Sequence, residues 1–480
     1  MKSAATETRP SDRIPPIEKA GFASASIASS TAPGALHVLT NPIFNITLGL
    51  SPAVLAVISF VQTMWYTMLA PFVGKYSDNF RSKWGRRRPL MLAASVPLVG
   101  FFILIWFFPA QLNPSQLVVY FLATSLLFLT VYAFYAVPLS ALIMEATGDY
   151  HERTRLNTFT QVSVFFISIA VQWIFPFTQL KVFHGTITGL HYFALIFAAF
   201  LLVDALFPIA VNRERLYASI SKTRDPASIP ETLKATLRNR PFIVIVGTRT
   251  IFTFSYNIVS SLGLYLNYYY IFRGDIHRAA IMQGWNGTVF QVAAILSLFF
   301  FRACAIRFGK RRALSAAAWI LAVGSVAKLF VYIPGMPWWQ IIVYVANGAA
   351  GAGSVMLANS CLADVADYDE IVSGTRREGT YSAVLGWFDR VGNSVGTLIS
   401  GFVLVWIGFN AKLGGAQPPS TLRLMQLAYF AFPFLGACAS LYLLRSYKLD
   451  ERHCYDMKAT LEFRRTSSLP CAFAGSQAKV

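Results

Sequence analysis

Charge is what this sequence has least of. Asp, Glu, Lys and Arg make up 13% of its 480 residues, where a water-soluble domain carries roughly 25%. With 55% of the chain apolar, too little polar surface remains for a soluble globule, and that class is excluded. Cysteine is nearly as sparse: five in all, of which Cys304, Cys361 and Cys438 lie in or beside apolar stretches. They have neither disulfide-framework nor zinc-ligand spacing, so buried, reduced thiols are expected and no metal. Also missing are the HExxH of metal hydrolases and the GxxxxGK[ST] that cradles a nucleotide's phosphates. Metal-assisted hydrolysis and ATP-driven work therefore lack their parts, and neither a cofactor nor an enzymatic activity is expected. The polar opening, "MKSAATETRPSDRIPPIEKA", has no apolar core ending at a small-residue cleavage site, so no removable signal segment is expected.

What the sequence does have is long oily runs, each able to cross about 30 Å of hydrocarbon at helical rise. They read Gly21–Leu48, Pro52–Val73, Pro89–Phe108, Ser115–Met144, Leu156–Phe177, Leu190–Val211, Phe242–Ile271, Ala279–Phe301, Ala313–Ile333, Trp338–Cys361, Tyr381–Gly408 and Leu422–Leu444. The first is diluted by Ser, Thr and Asn; it is expected to span because those side chains can face a cavity instead of lipid. The net charge of +19 comes from 41 Lys and Arg, the great majority in the two tails and the even-numbered connections. This bias puts both termini in the cytosol of a multi-pass inner-membrane protein. It also attracts anionic lipid headgroups and calls for no nucleic-acid partner.

The chain repeats itself. Asn212 to Arg240 is a hydrophilic connection with Pro226 and Pro230, dividing six runs from six. "RSKWGRRRPL" after the second run is echoed by "AIRFGKRRAL" after the eighth, and "DYHERTRL" after the fourth by "DYDEIVSGTRREG" after the tenth. The fold expected is all-α, with twelve transmembrane helices in two pseudo-symmetric six-helix bundles whose interface holds a site. The divisions are a tail at 1–20, bundles at 21–211 and 242–446, a linker at 212–241, and a tail at 447–480. Leu449, Met457, Leu461 and Phe463 of that last tail are spaced for a short helix lying on the membrane.

"GKYSDNFRSKWGRRRP", Gly74–Pro89, offers six basic side chains in a turn between two oily runs. Asp78, Arg81, Arg86 and Arg87 can form ion pairs there, and Glu145, Asp149 and Arg153 lie in the turn after the fourth run. Arg312, Asp367, Arg376 and Glu378 hold the matching places in the second half. Charged turns of opposite halves meeting at the cytosolic face would form a gate that latches and releases.

Together with "YAFYAVPLSALIMEATGDYHERTRL" and "LADVADYDEIVSGTRREGTYSAVLGWFDRVGNSVG", that turn resembles the glycoside-pentoside-hexuronide:cation symporters. These belong to the major facilitator superfamily and include the melibiose permease. The resemblance spans roughly residues 21 to 446 and implies alternating-access transport of a sugar or glycoside coupled to Na⁺ or H⁺. Position by position the chain departs from the pattern. The two cation-binding aspartates of the family's second span fall on Tyr66 and Ala70, the sugar-binding acids on Ala136 and near Ser30, and the fifth-span arginine on Gln161. The eleventh-span lysine is matched by Arg390. A hard Na⁺ ion wants oxygen ligands with negative charge close by, so H⁺ is expected over Na⁺ as the coupling cation.

Ionisable groups inside spans point to function. Asp389 and Arg390 stand near the middle of the eleventh, with Trp387 and Asn393 nearby, and Arg249 and Tyr256 belong to a polar stripe on the seventh. Arg390 with Asp389 is expected to bind substrate oxygens, with Gln161, Tyr66, Trp65 and Tyr135 completing the pocket from the first half. Aromatic faces suit the apolar faces of sugar rings, and amide and guanidinium groups suit the hydroxyls. Asp204 reads as structurally paired or as a minor proton carrier, His37 as a hydrogen-bonded structural residue, and Lys328 as snorkelling from the outer end of its span. Apart from a small-molecule substrate, a coupling cation and the bilayer, no partner is expected, and the chain reads as a monomer. The alternatives are a lysolipid or other amphiphile carried by the same fold, and a sugar sensor that binds without transporting.

Overall fold

A computed structural model describes residues 13–147, 149–212, 239–373 and 378–447, together with 456, 457 and 460. The body of the linker, Arg376 and most of the tail proposed as a surface helix lie outside the described residues. The helices are α1 Pro16–Thr40, α2 Pro52–Asn79, α3 Arg88–Trp106, α4 Pro114–Met144, α5 Tyr150–Val171, the short α6 Ile174–Thr178 and α7 Thr186–Val211. The second half continues with α8 Arg240–Tyr265, α9 Ile276–Phe308, α10 Lys310–Val331, α11 Ile341–Ser373, α12 Glu378–Trp406 and α13 Pro419–Arg445. Ten segments are long and apolar enough to cross a membrane among the described residues. The two long helices that fall short are α1 and α12, both interrupted by polar side chains.

Local chemistry sets the starts. Proline occupies the first turn of α1, α2, α3, α4, α8 and α13, where its missing N–H costs nothing. Asp149 caps α5 by accepting from the Glu152 N–H at 2.7 Å, and Asp275 caps α9 by accepting from the Arg278 N–H at 3.1 Å. Both α1 and α8, the first helices of their halves, run on into a π-helical turn, Asn41–Thr47 and Leu266–Ile271. The echoed basic turns have one backbone: Gly85 (φ 101°) and Gly309 (φ 83°) adopt a conformation closed to other residues, and the basic residues after each begin the next helix.

Both halves pack in one pattern. In the first, α1 lies on α5 and α7, α3 on α4 and α7, and α2 on α4; in the second, α8 lies on α12 and α13, α10 on α11 and α13, and α9 on α11. These are the same pairings displaced by six spans, as the sequence repeats require. Between the halves the main seam is α2 on α12. At the end away from the basic turns it is tight: a Cβ on Gly401 would run into Ala56 and the Pro52 carbonyl. The other seam closes at that same end, where the Trp173 indole N–H donates to Thr288 Oγ1 at 3.0 Å and its ring meets Trp285 edge-on at 5.5 Å. Gly401→Val is expected to lower stability by about 1–3 kcal/mol, the usual cost of overpacking. Thermal unfolding of the purified protein measures it, and an unchanged midpoint would show the seam to be loose.

Two expectations need correction. Lys328 does not snorkel: α13 covers it, its side chain is fully buried, and Nζ donates to the Tyr429 carbonyl at 3.3 Å while lying 4.2 Å from that ring's centroid. Of the thiols, Cys361 is buried, but Cys304 is half-buried and Cys438 is exposed on the helix surface.

Candidate functional site

The two halves enclose a cavity of about 420 Å³. From α1 come His37, Thr40 and, just past its end, Asn41; from α2, Ser59, Gln62, Thr63, Tyr66 and Thr67; from α4, Leu129 and Tyr132; from α8, Ser261; from α12, Arg390 and Thr397. Helical periodicity puts Ser59, Gln62, Thr63, Tyr66 and Thr67 on one face of an otherwise oily α2, and α4 backs that face. Gln62 Nε2 donates to Ser125 Oγ at 2.7 Å. The Tyr132 hydroxyl donates to the Ser29 carbonyl at 2.7 Å, and its ring lies 5.4 Å from that of Tyr66. Much of the polar dilution of α1 is thereby accounted for, since His37 and Thr40 line the cavity, Thr31 is buried, and Ser24 and Ser29 meet α7 and α4.

Arg390 is the cavity's charge. Its guanidinium carbon lies 6.0 Å from the Tyr66 ring centroid, within range of a cation–π attraction. No carboxylate lines the cavity among the described residues. Asp389, the neighbour expected to act with Arg390, points elsewhere: its carboxylate meets Arg249 Nε at 3.2 Å and accepts from Thr253 Oγ1 at 3.4 Å. Arg249 in turn donates from Nη1 to Ser354 at 2.8 Å. Adjacent residues on a helix are about 100° apart, so Asp389 joins α12 to α8 while Arg390 faces the first half.

The remaining expected pocket residues are dispersed. Trp65 stands exposed with its indole N–H on Thr130 Oγ1 at 2.9 Å. Tyr135 is wholly buried behind the cavity, its hydroxyl 3.4 Å from the Ala205 carbonyl. Tyr256 packs on Phe290 and Trp387 on Phe388, and Asn393 sits on α12 one turn from Arg390. Gln161 lines a second, larger cavity at the basic end. Sequence reading passed over Gln62, Thr63 and Tyr132, though the α2 stripe was there to be counted. It also set aside His37, which faces the cavity. Asp204 lies off the cavity in α7, where the Ser24 hydroxyl of α1 donates to its carboxylate. Gly392–Gly396 spells GxSxG, the string of a hydrolase nucleophile elbow; it runs through the middle of α12, whereas an elbow needs a strand-to-helix turn.

The contacts of Glu145, Asp78 and Arg153 lie within the first half. Glu145, at the end of α4, takes Arg87 through both oxygens at 2.5 and 2.7 Å and Arg86 at 2.7 Å. Asp78 lies 3.4 Å from Arg87, Arg153 donates to the Met144 carbonyl at 2.8 Å, and Arg81 is exposed. In the second half Lys310 meets Asp364 at 2.6 Å, the same basic turn locked to the equivalent acidic helix. Asp149 serves as the α5 cap, Arg312 is exposed, and Asp367 and Glu378 lie in α11 and at the start of α12. At the basic end the larger cavity separates α5 from α9, while the far end is shut.

Paired six-helix halves around a polar cavity define a membrane transporter of the major facilitator fold. The chain belongs to the MFS/sugar transport protein family, which it matches over residues 21–451. It is similar to the isoprimeverose transporter of Lactiplantibacillus pentosus, at 25% identity over 84% of this chain and 82% of that protein. It is also similar to the uncharacterized symporter YnaJ of Bacillus subtilis, at 25% identity over 94% and 96%. Among solved structures, a bacterial homolog of the human lysosomal transporter Spinster, inward-facing and unoccupied, shares the fold with a TM-score of 0.67 at 13% identity, covering 90% of this chain and 98% of that one. The resemblance to glycoside-pentoside-hexuronide symporters is thereby borne out; the chain is a multi-pass membrane transporter and not an enzyme.

Proposed function

We propose that this protein is a cation-coupled symporter that moves a sugar or glycoside by alternating access, and that its preferred substrates are acidic. Arg390 carries the reading: a guanidinium facing a central cavity with no lining carboxylate to neutralise it among the described residues. Such a charge favours a carboxylate on the sugar and can bind it through two parallel hydrogen bonds. Tyr66 and Tyr132 offer ring faces, and Gln62, Asn41 and the threonines offer hydroxyl partners, the mixture a sugar pocket uses. Both termini lie on the cytosolic side of the inner membrane, where the basic turns gather. Rocking of the halves about the α2–α12 seam closes the basic end and brings Arg312 and the α4–α5 turn together as a latch.

Counterflow in proteoliposomes against matched neutral and uronic-acid glycosides tests the substrate. Exchange is expected for the acidic member of each pair, and equal or exclusive exchange of the neutral one overturns that preference. Proton coupling follows from the missing carboxylates. His37 is the imidazole lining the cavity, a side chain able to take up and release a proton, and Tyr66, Tyr132 and Arg390 line the same cavity. A pH gradient is expected to drive accumulation and a Na⁺ gradient to leave it unchanged. His37→Gln is expected to keep counterflow while losing pH-driven accumulation; accumulation that follows Na⁺ would refute the proton reading.

A further inference from the structure

The larger cavity, about 1750 Å³, lies at the basic end between α5 and the second half and shares no lining residue with the central one. Its walls have two characters. On α5, Val162 and Phe165 face Ile295, Leu298 and Phe299 of α9, apolar stripes at helical spacing. Toward the basic end come Arg302, less than one turn past Phe299 on α9, Arg307 about two turns past it at roughly 3.6 residues per turn, and Lys310, Arg311 and Arg312 at the start of α10. Asp364 is the one lining carboxylate among the described residues, and Lys310 already holds it at 2.6 Å. Four arginines thus line one open space with no lining carboxylate left for them among the described residues, Arg311 donating to the Arg445 carbonyl at 3.2 Å, beside an apolar slot between α5 and α9.

Like charges gathered round a cavity repel one another unless something negative lies between. A free anion would satisfy the arginines and leave the apolar stripes wet, whereas a molecule with an anionic head and hydrocarbon tails satisfies both. We infer that this cavity is a binding site for an anionic phospholipid. Its phosphate sits among Arg302, Arg307, Arg311 and Arg312, and its chains lie between α5 and α9. Basic pockets between helices at the cytosolic face are suited to such headgroups. Because α5 and α9 are the helices parted at the basic end, a lipid wedged there holds that end open. This inference is independent of the sugar reading, since it uses none of the central cavity's residues.

The full-length protein, purified in detergent, is examined by native mass spectrometry and by thermal unfolding with added phosphatidylglycerol or phosphatidylcholine. Phosphatidylglycerol is expected to remain bound and to raise the midpoint; phosphatidylcholine is expected to do neither. The double variant Arg302→Gln/Arg307→Gln is expected to lose at least about tenfold in phosphatidylglycerol retention, Arg302→Lys/Arg307→Lys to keep most of it, and Lys75→Gln/Lys83→Gln, at exposed positions near the end of α2 and in the turn after it, to keep all of it. Equal retention of the two lipids, an unaffected glutamine variant, or complete displacement by millimolar inorganic phosphate would each overturn the site. If the glutamine variant fails to fold, the lipid comparison and the phosphate competition on the unaltered protein still decide.

Discussion

Arg390→Ala is expected to cut uptake on the order of 10- to 100-fold, the loss that follows from deleting a hydrogen bond to a charged group worth about 1.5–3 kcal/mol. Its thermal midpoint should scarcely move, because Arg390 faces the cavity with its guanidinium over the Tyr66 ring and pairs with no carboxylate among the described residues. Substitutions at such positions change stability by no more than about 0.5 kcal/mol. Asp389→Asn, one residue away, should behave in the opposite sense, since it strands the partly buried Arg249. Transport assays and unfolding curves on the same two preparations separate the roles. Normal uptake by a well-folded Arg390→Ala protein would end the case for this residue, and a stability loss as large as that of Asp389→Asn would reassign it to the bundle.

Glu145→Ala should be the most damaging single change to folding. Glu145 neutralises two arginines at once, and Arg87 among them has only 3% of its side chain exposed, while Glu145 itself keeps 26%. Breaking a buried pair by removing one partner costs about 3–5 kcal/mol, and the partial exposure of Glu145 together with Asp78, which stays 3.4 Å from Arg87, puts the expected loss near the lower bound, about 3 kcal/mol. Asp364→Ala removes the equivalent lock in the second half and should cost less, because Lys310 is 36% exposed and can turn to water. Chemical or thermal unfolding of the two variants in one detergent checks the order, and equal losses would mean that the two locks are not distinguished by burial.

Much of this was legible in the residues. The echoed strings "WGRRR" and "FGKRR" announced two turns of one shape, and the two glycines do share a positive φ. The α2 stripe from Ser59 to Thr67 was also readable as a polar face. Adjacency misled at Asp389 and Arg390: neighbours in sequence looked like partners, although a helix turns them about 100° apart. Trp65 next to Tyr66 failed for the same reason, one ring facing the cavity and the other facing out. Lys328 looked free to snorkel because nothing in its own helix revealed that α13 lies over it.

By itself the sequence determined the class: oily runs too long and too many for a soluble core, basic turns set on one side, and a repeat that fixes two like halves. Those properties follow from the solvent, because lipid requires every backbone polar group to be satisfied within a helix and charge to collect at one face. Which side chains meet across the halves was decided only by the tertiary structure. That outcome depends on how each helix is rotated and on where the halves touch, at Gly401 on Ala56 and Trp173 on Thr288. Rotation is set by packing summed over several neighbouring helices, a quantity that no single stretch of sequence contains.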